Sequence, residues 1–159
     1  MARYIAFLRA INVGGHNIKM DHLRQFFESL GFSNVETIIA SGNVILDAKA
    51  GNVKALEKKI KNKLQEALGY EVATFIRTDI ELAGISKYSS SPQSYLDAAS
   101  ALNIGFLADT LDDTSVQKLM ALQTDIDAFH FHRRETYWLC KKSKVTPKFL
   151  MPSLKKYLV

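Results

Sequence analysis

Arg9, Asn12, His16, Asn17 and Lys19 crowd around a glycine pair, Gly14-Gly15, in the stretch RAINVGGHNIK. A segment that only had to turn the chain would not need so many hydrogen-bonding and cationic side chains. Some thirty residues later, Ser41 and Asn43 flank a third glycine, Gly42. Together these residue types can hold an anion. Backbone N–H groups at a helix start and around paired glycines converge on an oxyanion. Arg9, Lys19 and His16 would add positive charge, and Asn12, Asn17, Ser41 and Asn43 neutral hydrogen bonds. The competing reading is structural: the glycines permit turns, while Asn12 and Asn43 tie loop backbone to loop backbone. Neither G-x-x-x-x-G-K-[ST] nor G-x-G-x-x-G occurs, so ATP hydrolysis and dinucleotide binding have no direct support and no cofactor is assigned.

Other chemistries have thinner support. His130 and His132, in FHFH, share one face of a strand, and alternating histidines can bind zinc. The lone Cys140 sits on the partner strand without a companion, so the expectation is a solvated polar face and no metal. Ser41 beside His16 would make a nucleophile and base, but no third residue is identifiable to orient the imidazole. An enzyme using His16 as acid or base at the same edge stands as an alternative, with no catalytic residue assigned. Tyr137 and Trp138 read as packing residues.

The elements that must position these residues are clear in the first half. Residues 3–9 form a strand with Ile5 and Phe7 on one face and Ala6 and Leu8 on the other, as a central strand covered on both sides requires. Met20, Leu23, Phe26, Phe27 and Leu30 follow helical spacing up to Gly31. Residues 35–40 and 44–48 are two strands joined through SGN, a tight hairpin signal. Asn52 caps a helix whose stripe is Val53, Leu56, Ile60, Leu64 and Leu68, stopped at Gly69. Residues 72–77 are a fourth strand. Strand, helix, strand, strand, helix, strand is the ferredoxin-like order. In that arrangement strand three runs antiparallel between strands one and two. The exit of strand one and the SGN hairpin therefore lie on the same edge of the sheet.

Thr78 and Glu81 fit a capping box that opens a short helix. YSSSPQS (88–94) reads as a linker. The earlier order then repeats: a strand at 102–108, a helix with Val116, Leu119, Met120 and Leu122 inward, and strands at 128–133 and 136–141 around Arg134-Glu135. Thr146-Pro147 opens a closing helix that Pro152 breaks or kinks. The expected organisation is a ferredoxin-like subdomain over 1–78, a helix and linker over 79–100, and a second α+β subdomain over 101–159. The fold class is α+β: a ferredoxin-like βαββαβ first half packed against a second, similar but incomplete α+β half.

Composition bounds the remaining classes. With 47% apolar and 23% charged residues, the 159-residue chain is of ordinary globular type. No apolar run approaches the length of a membrane span, and the single cysteine excludes an intrachain disulfide, so a cytoplasmic location is expected. The formal charge of +5 comes from two lysine-rich stretches, 49–63 and 141–156; the rest of the chain is net acidic. Such faces could attract polyanions through Lys54, Lys58 and Lys61, although solvated helix faces explain them as simply. Nucleic acid has weak support as a partner. An RNA-recognition sheet stacks bases on aromatics of its central strands, and strand three here, NVILDA, has none. The oligomeric state is not readable.

LRAINVGGHN (8–17), Met20 with Leu23-Arg24, LGF (30–32) and SGNV (41–44) resemble the bacterial domain-of-unknown-function family number sixteen-ninety-seven. Its members open with L-L-R-G-I-N-V-G-G and later carry S-G-N. The match is specific over roughly the first 45 residues; beyond them NIGFL, ETYWL and the basic tail fit the order of elements. The resemblance implies a two-part α+β protein with a ferredoxin-like first half and no established activity. It marks Arg9, Asn12, Gly14, Gly15, Asn17, Ser41, Gly42 and Asn43 as hallmark positions without a known role. Ala10 replaces the usual Gly, which suggests that a small side chain matters there more than positive φ. Similar proteins usually continue into an R-N-W-x-T segment that this sequence lacks; if that segment completes the second unit or the site, the function is expected to be partial.

Overall fold

A computed structural model of the chain describes residues 1–12, 14–38, 42–89 and 93–141. They fall into two compact units, Met1–Lys87 and a second beginning at Tyr88. The expected closing helix at Thr146-Pro147 and its break at Pro152 lie outside the described residues.

The first unit runs β1 (Ala2–Arg9), α1 (Met20–Ser29), β2 (Ser33–Ile38), β3 (Asn43–Ala48), α2 (Val53–Leu68), β4 (Ala73–Thr78) and α3 (Asp79–Lys87). Its strands form one antiparallel-paired sheet in the order β2-β3-β1-β4. That order and these connections agree with the ferredoxin-like arrangement. β1 is central, and burial explains why its apolar residues occupy both parities. Tyr4, Ala6 and Leu8 join Val44, Leu46, Val35 and Ile76 in one core with Leu23 and Phe27 of α1 and Ile60 and Leu64 of α2. Ile5, Phe75 and Arg77 are buried as well, and the β1–β4 register, which pairs Ile5 with Arg77 and Phe7 with Phe75, sets them on the opposite face.

Local chemistry fixes the ends of these elements. The Asn52 side chain accepts hydrogen bonds from the amides of Lys54 (2.9 Å) and Ala55 (3.2 Å), capping α2. The Thr78 amide donates to Glu81 Oε2 at 2.8 Å and the Glu81 amide donates to Thr78 Oγ1 at 3.1 Å, the reciprocal bonds of a capping box. Glu57 departs from a simple apolar stripe: it is buried on α2 and accepts a hydrogen bond from the Ile76 amide at 2.8 Å.

The second unit contains α4 (Gln93–Ala98), β5 (Ala101–Phe106), α5 (Asp113–Met120), β6 (Asp127–His132) and β7 (Glu135–Cys140). Its sheet has the order β5-β7-β6, antiparallel throughout. This repeats β1-β3-β2 of the first unit, and no counterpart of β4 lies among the described residues. Leu119 of α5 and Phe129 of β6 centre its core, with Phe131 and Trp138 packed against them. Several boundaries differ from expectation: β5, expected over 102–108, runs Ala101–Phe106, and β6 and β7 each begin and end one residue earlier than expected. The segment expected as linker gives way to helix at Gln93. The β6–β7 turn is Arg133-Arg134, not Arg134-Glu135: Glu135 pairs with His132, and Arg133 takes the left-handed conformation with φ 52°. Asp112 accepts the Ser115 amide at 2.6 Å and so caps α5. No helix of the described residues is long and apolar enough to cross a membrane.

Candidate functional site

The site expected at the exit of β1 depends on two turns meeting, and Gly42 decides the matter. Extending the β1–β3 register past Ala6 and Val44 brings Gly42 opposite Leu8. Gly42 has φ 77°, and a Cβ built on it would overlap Cγ2 of Ile11 while lying 3.6 Å from Ile11 Cβ and 3.8 Å from Leu8 Cβ. The hairpin thus presses its glycine backbone onto the first residues of the β1 loop. A side chain there would hold the two turns apart.

The loop itself is tied down at several points. Ile11 is fully buried. Its carbonyl accepts a hydrogen bond from the Tyr70 hydroxyl at 3.0 Å. The Tyr70 ring stacks on His16 with centroids 3.7 Å apart. Asn12 Oδ1 accepts the Ile18 amide at 2.8 Å, closing the loop on itself. Gly14 and Gly15 both have positive φ, 73° and 87°, and open space where side chains would be.

The sequence-derived site residues divide accordingly. Arg9, Gly14, Gly15, His16, Asn17 and Lys19 are exposed along the loop, and Asn12 and Asn43 are half-buried. Asn43 pairs with Ile38 at the base of the hairpin. Ser41 lies outside the described residues. Lys19 is the N-cap residue of α1, and its side chain makes no capping bond. Asn12 serves loop closure through its side-chain oxygen, as the structural reading of this residue required. Ala10 corrects one expectation: its φ is 60°, so this position does demand the left-handed conformation, and alanine adopts it.

The lysine-rich face of α2 is less open to polyanions than its composition implies. Lys61 pairs with Glu71 at 2.7 Å, Lys54 approaches Glu57 at 3.9 Å, and Lys63 pairs with Glu66. Lys59 donates to the Leu30 carbonyl and lies 5.0 Å from the Phe32 ring centroid. Much of this charge is balanced locally.

His130 and His132 are not a solvated pair. Both are half-buried. The Tyr88 hydroxyl and His130 Nε2 share a hydrogen bond of 2.7 Å, and the Tyr88 ring stacks on His132 at 4.0 Å. Burial first, and the neighbouring His132 second, lower the His130 pKa from its ordinary value. Tyr137, opposite His130 across the ladder, is fully buried, and its hydroxyl has no hydrogen-bond partner among the described residues; burial raises its pKa. No group of three metal-ligating side chains occurs among the described residues. Trp138 packs as expected, and its indole N–H also donates to buried Asp127 at 2.7 Å.

Two surface cavities lie away from the loop. One of about 520 Å³ is lined by Arg3, Asp47, Thr78 and Asp79, and another of about 380 Å³ by Gln123, Thr124, Asp127 and Lys141. In the first, Arg3 and Asp47 already pair at 2.9 Å. Asn34 donates to the same carboxylate at 2.8 Å. The bond from Arg3, followed by that from Asn34, lowers the Asp47 pKa.

No curated protein matches the chain. A solved structure similar to it is that of the conserved bacterial protein SP0830 from Streptococcus pneumoniae. The similarity covers 99% of this chain and 82% of that one, with a TM-score of 0.75 and 20% sequence identity, a likeness of fold. A family model for proteins of unknown function, DUF1697, matches residues 1–137. The Gly-Gly loop and the hairpin glycine packed against it therefore belong to a member of the DUF1697 family.

Proposed function

We propose that the first unit is a binding module for a phosphate-bearing or other anionic small molecule, held where the β1 loop meets the β2–β3 hairpin. The observation that carries this reading is the start of α1. Its N-cap residue, Lys19, makes no side-chain capping bond, and the Gly14-Gly15 turn that precedes it is exposed. A helix N-terminus favours an anion by about 0.3–1 kcal/mol through its dipole, beyond the hydrogen bonds its amides donate. Asp21 in that first turn opposes the effect, and Arg24, 3.6 Å away, offsets it in part.

Arg9 and Lys19 supply the cationic charge, and Asn17, Ser41 and Asn43 the neutral hydrogen bonds. His16, stacked on Tyr70, gives the ligand a planar neighbour with a ring nitrogen. Asn12 positions the loop through Ile18 and does not need to touch the ligand. The loop is held before any ligand arrives, through Tyr70, Asn12 and the Gly42–Ile11 packing, which reduces the ordering cost of binding. The lone, buried Cys140 agrees with the reducing cytoplasm as the compartment.

The test is a thermal-shift series with inorganic phosphate, pyrophosphate and single nucleotides, on the native chain and on Arg9→Ala/Lys19→Ala. At least one anion is expected to raise the native melting temperature, and the double variant, folded by circular dichroism, to lose that rise. An equal rise in both proteins would overturn the reading, as would no rise with any anion.

A further inference from the structure

The two sheets have four outer strands, and three of those edges are closed to further strand pairing in ways that can be named. On β4 the outward amides of Ile76 and Thr78 are accepted by the carboxylates of Glu57 and Glu81, both at 2.8 Å. On β6 the outward amides of Asp127 and Phe129 are accepted by Thr124 Oγ1 at 3.1 Å and Gln123 Oε1 at 3.0 Å. On β2 the register shifts between Ser33 and Glu36, and Asn34 takes φ 49°. Such a bulge bends an edge away from potential partners.

Among the described residues the edge of β5 has none of these devices. Its register with β7 is continuous from Ala101 to Phe106. The Leu107 amide donates to the Arg134 carbonyl at 2.8 Å, which fixes the alternation of the ladder. By that alternation Ala101, Asn103 and Gly105 bond to β7, while the N–H and C=O of Leu102 and Ile104 point outward. Residues 101–104 are exposed; Leu102 and Ile104 are 45% and 36% accessible despite being large and apolar. ALNIGF contains no charged residue and no proline. The corresponding strand of the first unit, β1, is paired on both sides, and among the described residues β5 has no counterpart of β4 beside it.

We propose that the outer edge of β5 is a strand-pairing surface, occupied in solution by β5 of a second copy of the chain. An antiparallel pair about a two-fold axis at Asn103 sets Leu102 against Ile104 of the other copy, and Ile104 against its Leu102. Each such pair exchanges both backbone hydrogen bonds and buries its two apolar side chains on the same face. The absence of charge makes self-pairing free of like-charge repulsion, the usual protection of an exposed edge. The interface is closed and isologous, so it stops at a dimer. It is also small, so the dimer is reversible and concentration-dependent. This inference does not rest on the anion site, which belongs to the first unit.

The experiment is sedimentation velocity on the full chain across a wide concentration series from the low micromolar range upward, with amide hydrogen exchange measured at both ends of the series. The expected results are a shift from monomer to dimer mass, and slowed exchange at Leu102 and Ile104 only at high concentration. Ile104→Lys places like charges near the axis, and Leu102→Pro removes an outward amide without touching the β7 ladder. Both variants are expected to remain monomeric throughout, with native far-ultraviolet circular dichroism. If Leu102→Pro does not fold, Ile104→Lys carries the test. A native chain that stays monomeric overturns the proposal, including one whose Leu102 and Ile104 amides are slow at every concentration because its own chain covers them. A dimer unaffected by folded Ile104→Lys overturns it equally.

Discussion

Gly42→Ala tests the geometry on which the candidate site depends. At φ 77° an L side chain adopts the left-handed region, at a cost of about 1–2 kcal/mol. The new Cβ also overlaps Ile11 Cγ2, and Ile11 is itself buried against the core, so relief requires backbone movement. Overpacking of this kind costs about 1–3 kcal/mol more. The expected loss is therefore about 2–5 kcal/mol, read from urea unfolding followed by circular dichroism. Circular dichroism is the proper probe because the sole tryptophan, Trp138, reports on the second unit. Gly14→Ala is the internal control: its φ is 73°, but its Cβ meets nothing within 4 Å, so only the conformational cost of about 1–2 kcal/mol applies. Ile11→Ala supplies the decisive comparison. It removes the overlapping methyl, and the remaining neighbours at 3.6 and 3.8 Å are ordinary contacts. In that background Gly42→Ala should cost no more than Gly14→Ala does, a favourable coupling of about 1–3 kcal/mol. Equal losses for Gly42→Ala and Gly14→Ala, together with additive effects of Gly42→Ala and Ile11→Ala, would refute the packing of the two turns.

Glu57→Ala strands the Ile76 amide and opens the β4 edge, so it should destabilise the first unit by about 1–3 kcal/mol. Glu57→Gln keeps an accepting oxygen and should cost clearly less in the same urea measurement; equal losses would mean that the bond to Ile76 is not what matters. His130 has a lowered pKa in the fold, so the unfolded chain takes up its proton first as pH falls. The stability linked to this group is fully present above the unfolded value of about 6.5, and is lost as pH falls from there through the folded value. His130→Gln should flatten the pH dependence of the melting temperature in that window, and an unchanged slope would remove His130 as its source.

The elements of the first unit were legible because each leaves a local signal. The two-parity apolar pattern of β1, the Asn52 cap and the Thr78–Glu81 box depend on residues near in sequence. The ferredoxin-like order then supplied the one long-range inference, that the β1 exit and the hairpin share an edge, and Gly42 against Ile11 bears it out. Where polar groups are satisfied by partners remote in sequence, the pattern was silent. Glu57 falls on the apolar side of α2, four residues after Val53 and three before Ile60, and that spacing was the available signal that it is buried. Nothing local links it to the Ile76 amide nineteen residues away. The histidines of β6 misled for the same reason: alternation marks a polar face, but Tyr88, forty-two residues earlier, is what covers it. Ala10 misled differently, since a residue type reports backbone conformation only when alternatives are excluded, and alanine tolerates φ 60° at modest cost.

These differences bear on how the candidate site is read. Asn12 and Tyr70 spend their polar atoms on holding the loop, and Gly42 locks the hairpin to it, so the residues that looked like a single ligand-binding set serve two tasks. Those facing inward build a rigid edge. Those facing outward, Arg9, Gly14, Gly15, Asn17 and Lys19, are exposed and carry the charge and open backbone. A loop that served only to turn the chain would need the first group alone. If the proposed anion site is right, substitutions of exposed Arg9 and Lys19 should alter binding before they alter stability, whereas Gly14 and Gly15, at positive φ, carry a conformational cost as well.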